Sequence, residues 1–242
     1  TLSTHQIKRH LHRLGARFRR TKPSLRHRQD PDERRRGRRR LRRYRRLAER
    51  GQIRLYFFDE VGFSPSQPTG RSWFLPGACR EVPQESPHGM RVTALGSYAP
   101  YQRRRRLTFQ VVGKRVGSAD VLRAVRALPH SRRKRTVVVL DNAPIHVSHA
   151  IRGQKAALAR SGLRLVHLPP YSPDMNPIEP VFGAIKAHEM PERTYYPREK
   201  LRAAVVRAFR AEAANLAKPR APIGRRTSTV CPSLAAIAAP AE

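Results

Sequence analysis

The sequence predicts a mixed α/β sheet with helices on its faces, preceded by a short basic helical arm. Two observations predict it. Between residues 52 and 190, short apolar runs rich in β-branched and aromatic residues alternate with segments of helical spacing, in the order β, β-hairpin, α, β, α, β, α. The charge is also lopsided: residues 1–54 hold 21 Lys and Arg against 4 acids, half of a net charge of +34 in under a quarter of the chain.

The elements follow in order. In residues 3–20, Ile7, Leu11, Leu14 and Phe18 fall at helical spacing behind Ser3 or Thr4 as N-cap, and the other face is Lys, Arg and His. Such a helix suits a DNA groove, with Lys8, Arg9, Arg13, Arg17, Arg19 and Arg20 as the contacting cations; an ordinary solvated helix has the same pattern. Residues 30–50 open with DPDE, a helix N-terminus, and then run through arginines with little but Leu41, Tyr44 and Leu47 to bury. That composition predicts a solvated helical linker that tracks phosphates.

IRLYFFDE (53–60) reads as a buried strand, and a Gly, Pro and Ser-rich loop follows, with a brief strand near Trp73. Residues 91–99 and 105–113 predict a hairpin, and 118–128 an amphipathic helix capped by Ser118. TVVVLDN (136–142) has the composition of a buried parallel strand. A helix over 146–162, a strand over 163–169, the proline-fixed loop PPYSPDMNP and helices over 178–188 and 197–216 complete the reading. The tail is Ala, Pro and Ser-rich without periodicity and predicts disorder. The domain reading is a basic arm and linker over 1–50, a catalytic domain over 52–190, a C-terminal helix over 191–217 and a tail over 218–242.

The bulk properties narrow the function. Arg dominates the basic residues, and its planar fork suits phosphate, so a nucleic-acid partner is expected, although an Arg-favouring genome supplies part of the excess. Cys79 and Cys231 are far apart and lack metal-type spacing, which argues against a disulfide scaffold or a zinc site. No apolar run approaches a membrane helix or a signal peptide, so a cytoplasmic location at the bacterial nucleoid is expected, with no membrane partner. The chain starts without Met, as expected of a fragment lacking its true N-terminus.

Three acids stand at predicted element ends: Asp59 after LYFF, Asp141 after VVVL, and Glu179 at the start of a helix after PPYSPDMNP. Open α/β sheets place their sites at strand C-termini, and carboxylate oxygens are the ligands Mg²⁺ prefers. Phosphodiester chemistry needs an activated oxygen nucleophile and a stabilised leaving oxygen, which a pair of metal ions supplies. Taken singly, any of the three could be a helix cap or a surface charge. Asn142 and His146 are supporting candidates that could orient a metal-bound water or a phosphate; equally, Asn142 could turn the chain and His146 could start the next helix. Glu60 should point to the opposite strand face. Asp174 should organise its own loop as an Asx turn. Trp73 could stack on a flipped base or lie in the core.

FFDEVGF (57–63), LDNAPIH (140–146) and LPPYSPDMNPIEPVFGAIK (168–186) resemble, in order, the three signature blocks of DDE transposases, and more narrowly those of the insertion sequence 630 family of the Tc/mariner superfamily. The resemblance covers about residues 52–190, and SPDMNPIE is its most specific part. It implies a ribonuclease-H-like catalytic domain with Asp59, Asp141 and Glu179 as the catalytic triad and as ligands of Mg²⁺ or Mn²⁺, two ions in all. It further implies cleavage at the terminal inverted repeats of a transposon, transfer of the freed 3′-OH into target DNA, typically at TA, and a homodimer on the DNA. Thirty-seven residues separate Asp141 from Glu179, slightly more than in the tightest versions of the motif. Phe182 stands where the family usually has Trp. The arm looks like a remnant of the second of two helix-turn-helix units, and the tail is unlike the family's usual ending. These departures keep open a truncated, inactive DNA-binding remnant. Another ribonuclease-H-like nuclease fits less well because of SPDMNPIE, and a basic RNA-binding protein explains the charge but not three ordered acidic blocks.

Overall fold

The computed structural model describes residues 3–17, 26–66, 81–84, 90–113, 115–190 and 193–219. Trp73, Arg19, Arg20, Cys79, Cys231 and the tail from residue 220 lie outside the described residues.

A single mixed sheet organises residues 54–167. Its strands are β1 (Arg54–Phe63), β2 (Val92–Ala99), β3 (Arg106–Val112), β4 (Thr136–Leu140) and β5 (Leu163–His167), in the spatial order β3-β2-β1-β4-β5. β2 is antiparallel to both β1 and β3, so β2 and β3 form the expected hairpin. β4 and β5 run parallel to β1, joined by helices that cross over the sheet. β1 runs past residue 60, because its second half keeps a partner in β2 after β4 has ended.

Strand alternation divides the core in two. Leu55, Phe57, Val137 and Val139 face α5 (Glu179–Ala184), α6 (Arg198–Ala217) and the partly buried Leu41 and Tyr44 of α2 (Pro31–Glu49). Tyr56, Phe58, Val138 and Leu140 face α3 (Ser118–Arg126) and α4 (His149–Arg160). Phe209 of α6 is fully buried and packs on Phe63, Phe109 and Phe182. The last helix therefore shares the core of the sheet.

Four local expectations need correction. The residues expected to form a solvated linker form α2, which docks against the core of the sheet. Gly37 is buried in it, and a Cβ there would run into Pro169, with Cδ only 2.9 Å away. The N-cap of α3 is Gly117, whose N–H donates to Asp120 Oδ2 (3.0 Å), while the Ser118 hydroxyl pairs with that of Ser148 (2.9 Å). α4 starts at His149 behind the Ser148 cap, so His146 lies in the preceding turn. The helix after the proline loop is α-helical only to Ala184 and continues as a π-type turn over Ile185–Glu189.

The N-terminal helix α1 (Thr4–Arg13) opens with a capping box between Ser3 and Gln6 and buries none of its residues.

Candidate active site

Asp141 directly follows β4, as expected, but Asp59 lies inside β1 rather than at its end. The register explains how they meet. Phe57 pairs with Val139, and two residues further along the same parallel strands stand Asp59 and Asp141. Both continue the odd-numbered alternation of their strands, so both belong to the face covered by α5. Glu179 is the first residue of α5.

Two residues not singled out in the sequence set the separation. Gly96 pairs with Asp59 across β1 and β2, and a Cβ there would lie 2.7 Å from Phe182 Cε1 and 3.1 Å from Ile178 Cδ1. Glycine therefore lets the Glu179 helix press against the sheet beside Asp59. Asn176 is buried, and its Nδ2 donates to Asp59 Oδ2 (3.1 Å), tying the proline loop to the first acid. The SPDMNP spacing is the sequence signal for Asn176; Gly96 sits in an ordinary strand pattern and gives none.

The three acids differ in environment. Burial lifts Asp59 to a pKa of about 7, helped by repulsion from Asp141, Glu179 and Glu60 and opposed by the Glu60 backbone N–H on its Oδ1 (2.8 Å). Burial also pushes Asp141 up, but hydrogen bonds from His146 Nδ1 (2.5 Å) and the Ala143 N–H (2.9 Å) to Oδ1 outweigh it, and the net shift is downward. A cavity of about 360 Å³ opens between Asp141, Asn142, Pro170, Asn176 and Glu179.

His146 is completely buried. Burial alone would lower its pKa, but Asp141 and Glu60 raise it to about 9. Glu60 lies on the opposite sheet face with Phe58, and its Oε2 stands 3.0 Å from His146 Nε2. The imidazolium thus bridges the two faces at the open end of the sheet and holds Asp141 in place. His167 Nδ1 contacts the Asp141 carbonyl at 3.1 Å, and burial lowers its pKa. Asn142 Nδ2 donates to the Leu168 carbonyl (2.7 Å), binding the ends of β4 and β5 together.

The proline loop is braced from outside. Asp174 does not close a local turn alone; Arg34 of α2 grips it with two bonds, Nη1 to Oδ1 (3.0 Å) and Nη2 to Oδ2 (2.6 Å). Arg34 also donates to Ser172 Oγ (3.2 Å), and Arg40 to the His167 carbonyl (2.5 Å). Lys8, Arg9 and Arg13 are exposed on α1, and the exposed Arg17 follows it.

Hard carboxylate oxygens on a shared face suit a divalent cation, and an acid lifted by burial and like charges is relieved by one. Among the described residues, however, no group of three His, Cys, Asp or Glu side chains is placed to hold one ion.

The strand order, the crossover helices and paired acids on adjacent parallel strands define a ribonuclease-H-like catalytic core. The sequence matches the model of the DDE superfamily endonuclease family over residues 54–202, more than half of the chain, and the protein belongs to that family. No curated protein matches it by sequence. Solved structures of similar fold include the Mos1 strand transfer complex, at 18% identity and a TM-score of 0.59, covering 91% of this chain and 72% of the other. The mariner Mos1 paired end complex with Mg is similar at 19% identity and a TM-score of 0.65, covering 89% and 66%. The Mos1 paired end complex with Mn is similar at 17% identity and a TM-score of 0.58, covering 91% and 72%. No helix among the described residues is long and apolar enough to cross a membrane.

Proposed function

We propose that this protein is a DNA transposase of the Tc/mariner type, in its insertion sequence 630 branch, with Asp59, Asp141 and Glu179 as its catalytic acids. The observation that carries the proposal is the juxtaposition of Asp59 and Asp141 on one face of two parallel strands, with Glu179 leading the helix pressed onto that face. Family membership and the fold shared with the Mos1 complexes support the same reading.

In this reading the three carboxylates hold Mg²⁺ or Mn²⁺, two ions when loaded. Those ions would supply Lewis acidity at the scissile phosphate and a nucleophilic oxygen at neutral pH. The protein's own groups do the rest. His146 and the Ala143 N–H fix Asp141, keeping it ionised and oriented. Asn176 fixes Asp59, and Arg34 stiffens the loop that leads to Glu179. Since the side chains as placed form no three-ligand cluster, loading with metal and DNA includes their reorientation. The substrates are double-stranded DNA in two roles, transposon ends and target, and two copies of the chain pair the ends. The exposed α1 supplies sequence-independent affinity through phosphates.

The test uses the purified chain, Mg²⁺ or Mn²⁺, and a duplex carrying the terminal inverted repeats that flank the coding sequence. Transposase activity gives cuts at the repeat ends and joining of the new 3′-OH to a second duplex, both lost on chelation. Cutting without joining would reduce the protein to a nuclease of this family. Absence of both, with tight repeat binding, would favour a DNA-binding remnant.

A further inference from the structure

At the end of the sheet away from the acids lies a cleft of about 1080 Å³ between the C-terminal end of α2, the β2–β3 turn and the end of α6. Arg50, Arg54, Lys134 and four consecutive arginines at 103–106 line it. None of these side chains has a carboxylate partner within ion-pair distance among the described residues. The one acid lining the cleft, Glu49, is taken by Arg45 at 2.7 Å. Glu212, in the adjoining hollow, acts on Arg105 through space, but the cleft keeps an excess of cations that repel each other, and a bound anion relieves that repulsion. Arg103, Arg104 and Arg106 are exposed and Arg105 and Arg54 half-buried, so the guanidinium groups stand at the surface.

The cleft is not isolated. Two further hollows share Arg45, Tyr101, Pro177 and Pro180: one adjoins the cleft at Arg103 and Arg105 and also carries Glu49 and Glu212, and the other reaches Glu179. α2 runs alongside, from Arg34 at the proline loop to Glu49 at the cleft, 16 of its 19 residues or about 24 Å of helix. Along β1, Arg54 and Asp59 are five residues apart, about 16 Å at strand rise.

We infer that the arginine cleft is a second DNA-contact site, which grips phosphodiester backbone at the far end of a groove leading from the carboxylates. The inference rests on the DNA-acting reading above, but it concerns binding and not cleavage. The backbone has two sources: the continuation of the duplex held at the acids, or a second duplex.

The experiment compares the full chain with two variants, Arg103→Gln/Arg104→Gln/Arg105→Gln and the gentler Arg103→Gln/Arg104→Gln, which alters only exposed side chains. Arg152→Gln/Arg160→Gln on α4 is a control of equal charge loss to the gentler variant. Affinity for a 40-base-pair mixed-sequence duplex is measured against salt, and stoichiometry by sedimentation. Each lost phosphate contact lowers the slope of log K against log salt by about 0.9. The triple variant is therefore expected to lose about 2 to 3 from the slope and the double about 2, with the control nearly unchanged. A fall from two duplexes per chain to one assigns the cleft to a second duplex; an unchanged stoichiometry of one assigns it to the same duplex. Unchanged slopes in both cleft variants, or an equal fall in the control, overturn the inference. A chain that never cuts DNA yet shows the selective loss of slope keeps this site and removes the transposase reading.

Discussion

Two basic helices precede the sheet, and they behave oppositely. α1 buries nothing: Ile7 and Leu11 are nearly half exposed, and Leu14, just past its end, is 83% exposed. α2 is still more basic, yet it lies against the catalytic region through Gly37 on Pro169, Ala48 in the core, and Leu41 and Tyr44 packed beside it. Charge does not decide which helix docks. Docking is decided by a few small and apolar positions on one face, and by Asp174, which turns one arginine of the row into a clamp.

The comparison breaks most readily at Gly37. Gly37→Leu has no room against Pro169, and overpacking of this kind costs about 1–3 kcal/mol, offset in part by a gain in helix propensity of up to about 1 kcal/mol. A lowered melting temperature is expected, whereas His10→Leu on the exposed α1 should shift stability by no more than about 0.5 kcal/mol. Equal behaviour of the two variants in thermal unfolding would remove the distinction between the helices.

Removing residues 1–17 sharpens it from the other side. Loss of Lys8, Arg9, Arg13 and Arg17 should weaken DNA binding and reduce the salt slope by about 3 to 4 if each meets a phosphate, with the melting temperature unchanged. A drop in melting temperature would mean that α1 docks after all.

The smallest effect is expected at the clamp. Asp174 is more than half exposed, so solvent screens its pair with Arg34, and Arg34→Ala should cost about 1 kcal/mol or less. Arg34 holds the Asp174 pKa below its ordinary value of about 3.9. The pair's contribution is therefore present above that value and lost as pH falls through the lowered one. Arg34→Ala should flatten this acid limb of the stability profile, and an unaltered limb would show that the pair contributes nothing.

The sheet was largely legible because its strands are β-branched runs and its helices keep a clean apolar spacing. TVVVL and the hairpin at 92–112 fall where the pattern put them. The error at α2 has a physical reason: arginine stems can cover apolar surface while their charges stay in water, so a helix that reads as solvated can dock. Asp59 was expected at a strand end because the apolar run LYFF stops there, but pairing with β2 carries β1 on to Phe63. The proposed acids stand out in the sequence through the words around them. Their supports were not: Gly96 and the Arg34–Asp174 pair join elements far apart in sequence, and no local pattern announces such contacts.

The central claim is that Asp59, Asp141 and Glu179 act as one site. The most direct measurement is metal-dependent nicking of a terminal-repeat duplex by Asp59→Asn, Asp141→Asn and Glu179→Gln, each near-isosteric, with DNA binding followed in parallel. Nicking should vanish in all three while binding falls by no more than about twofold from the parent protein, since phosphate affinity comes from cations and not from carboxylates. Nicking that survives in Asp141→Asn, the acid most firmly held by its neighbours, would contradict the account.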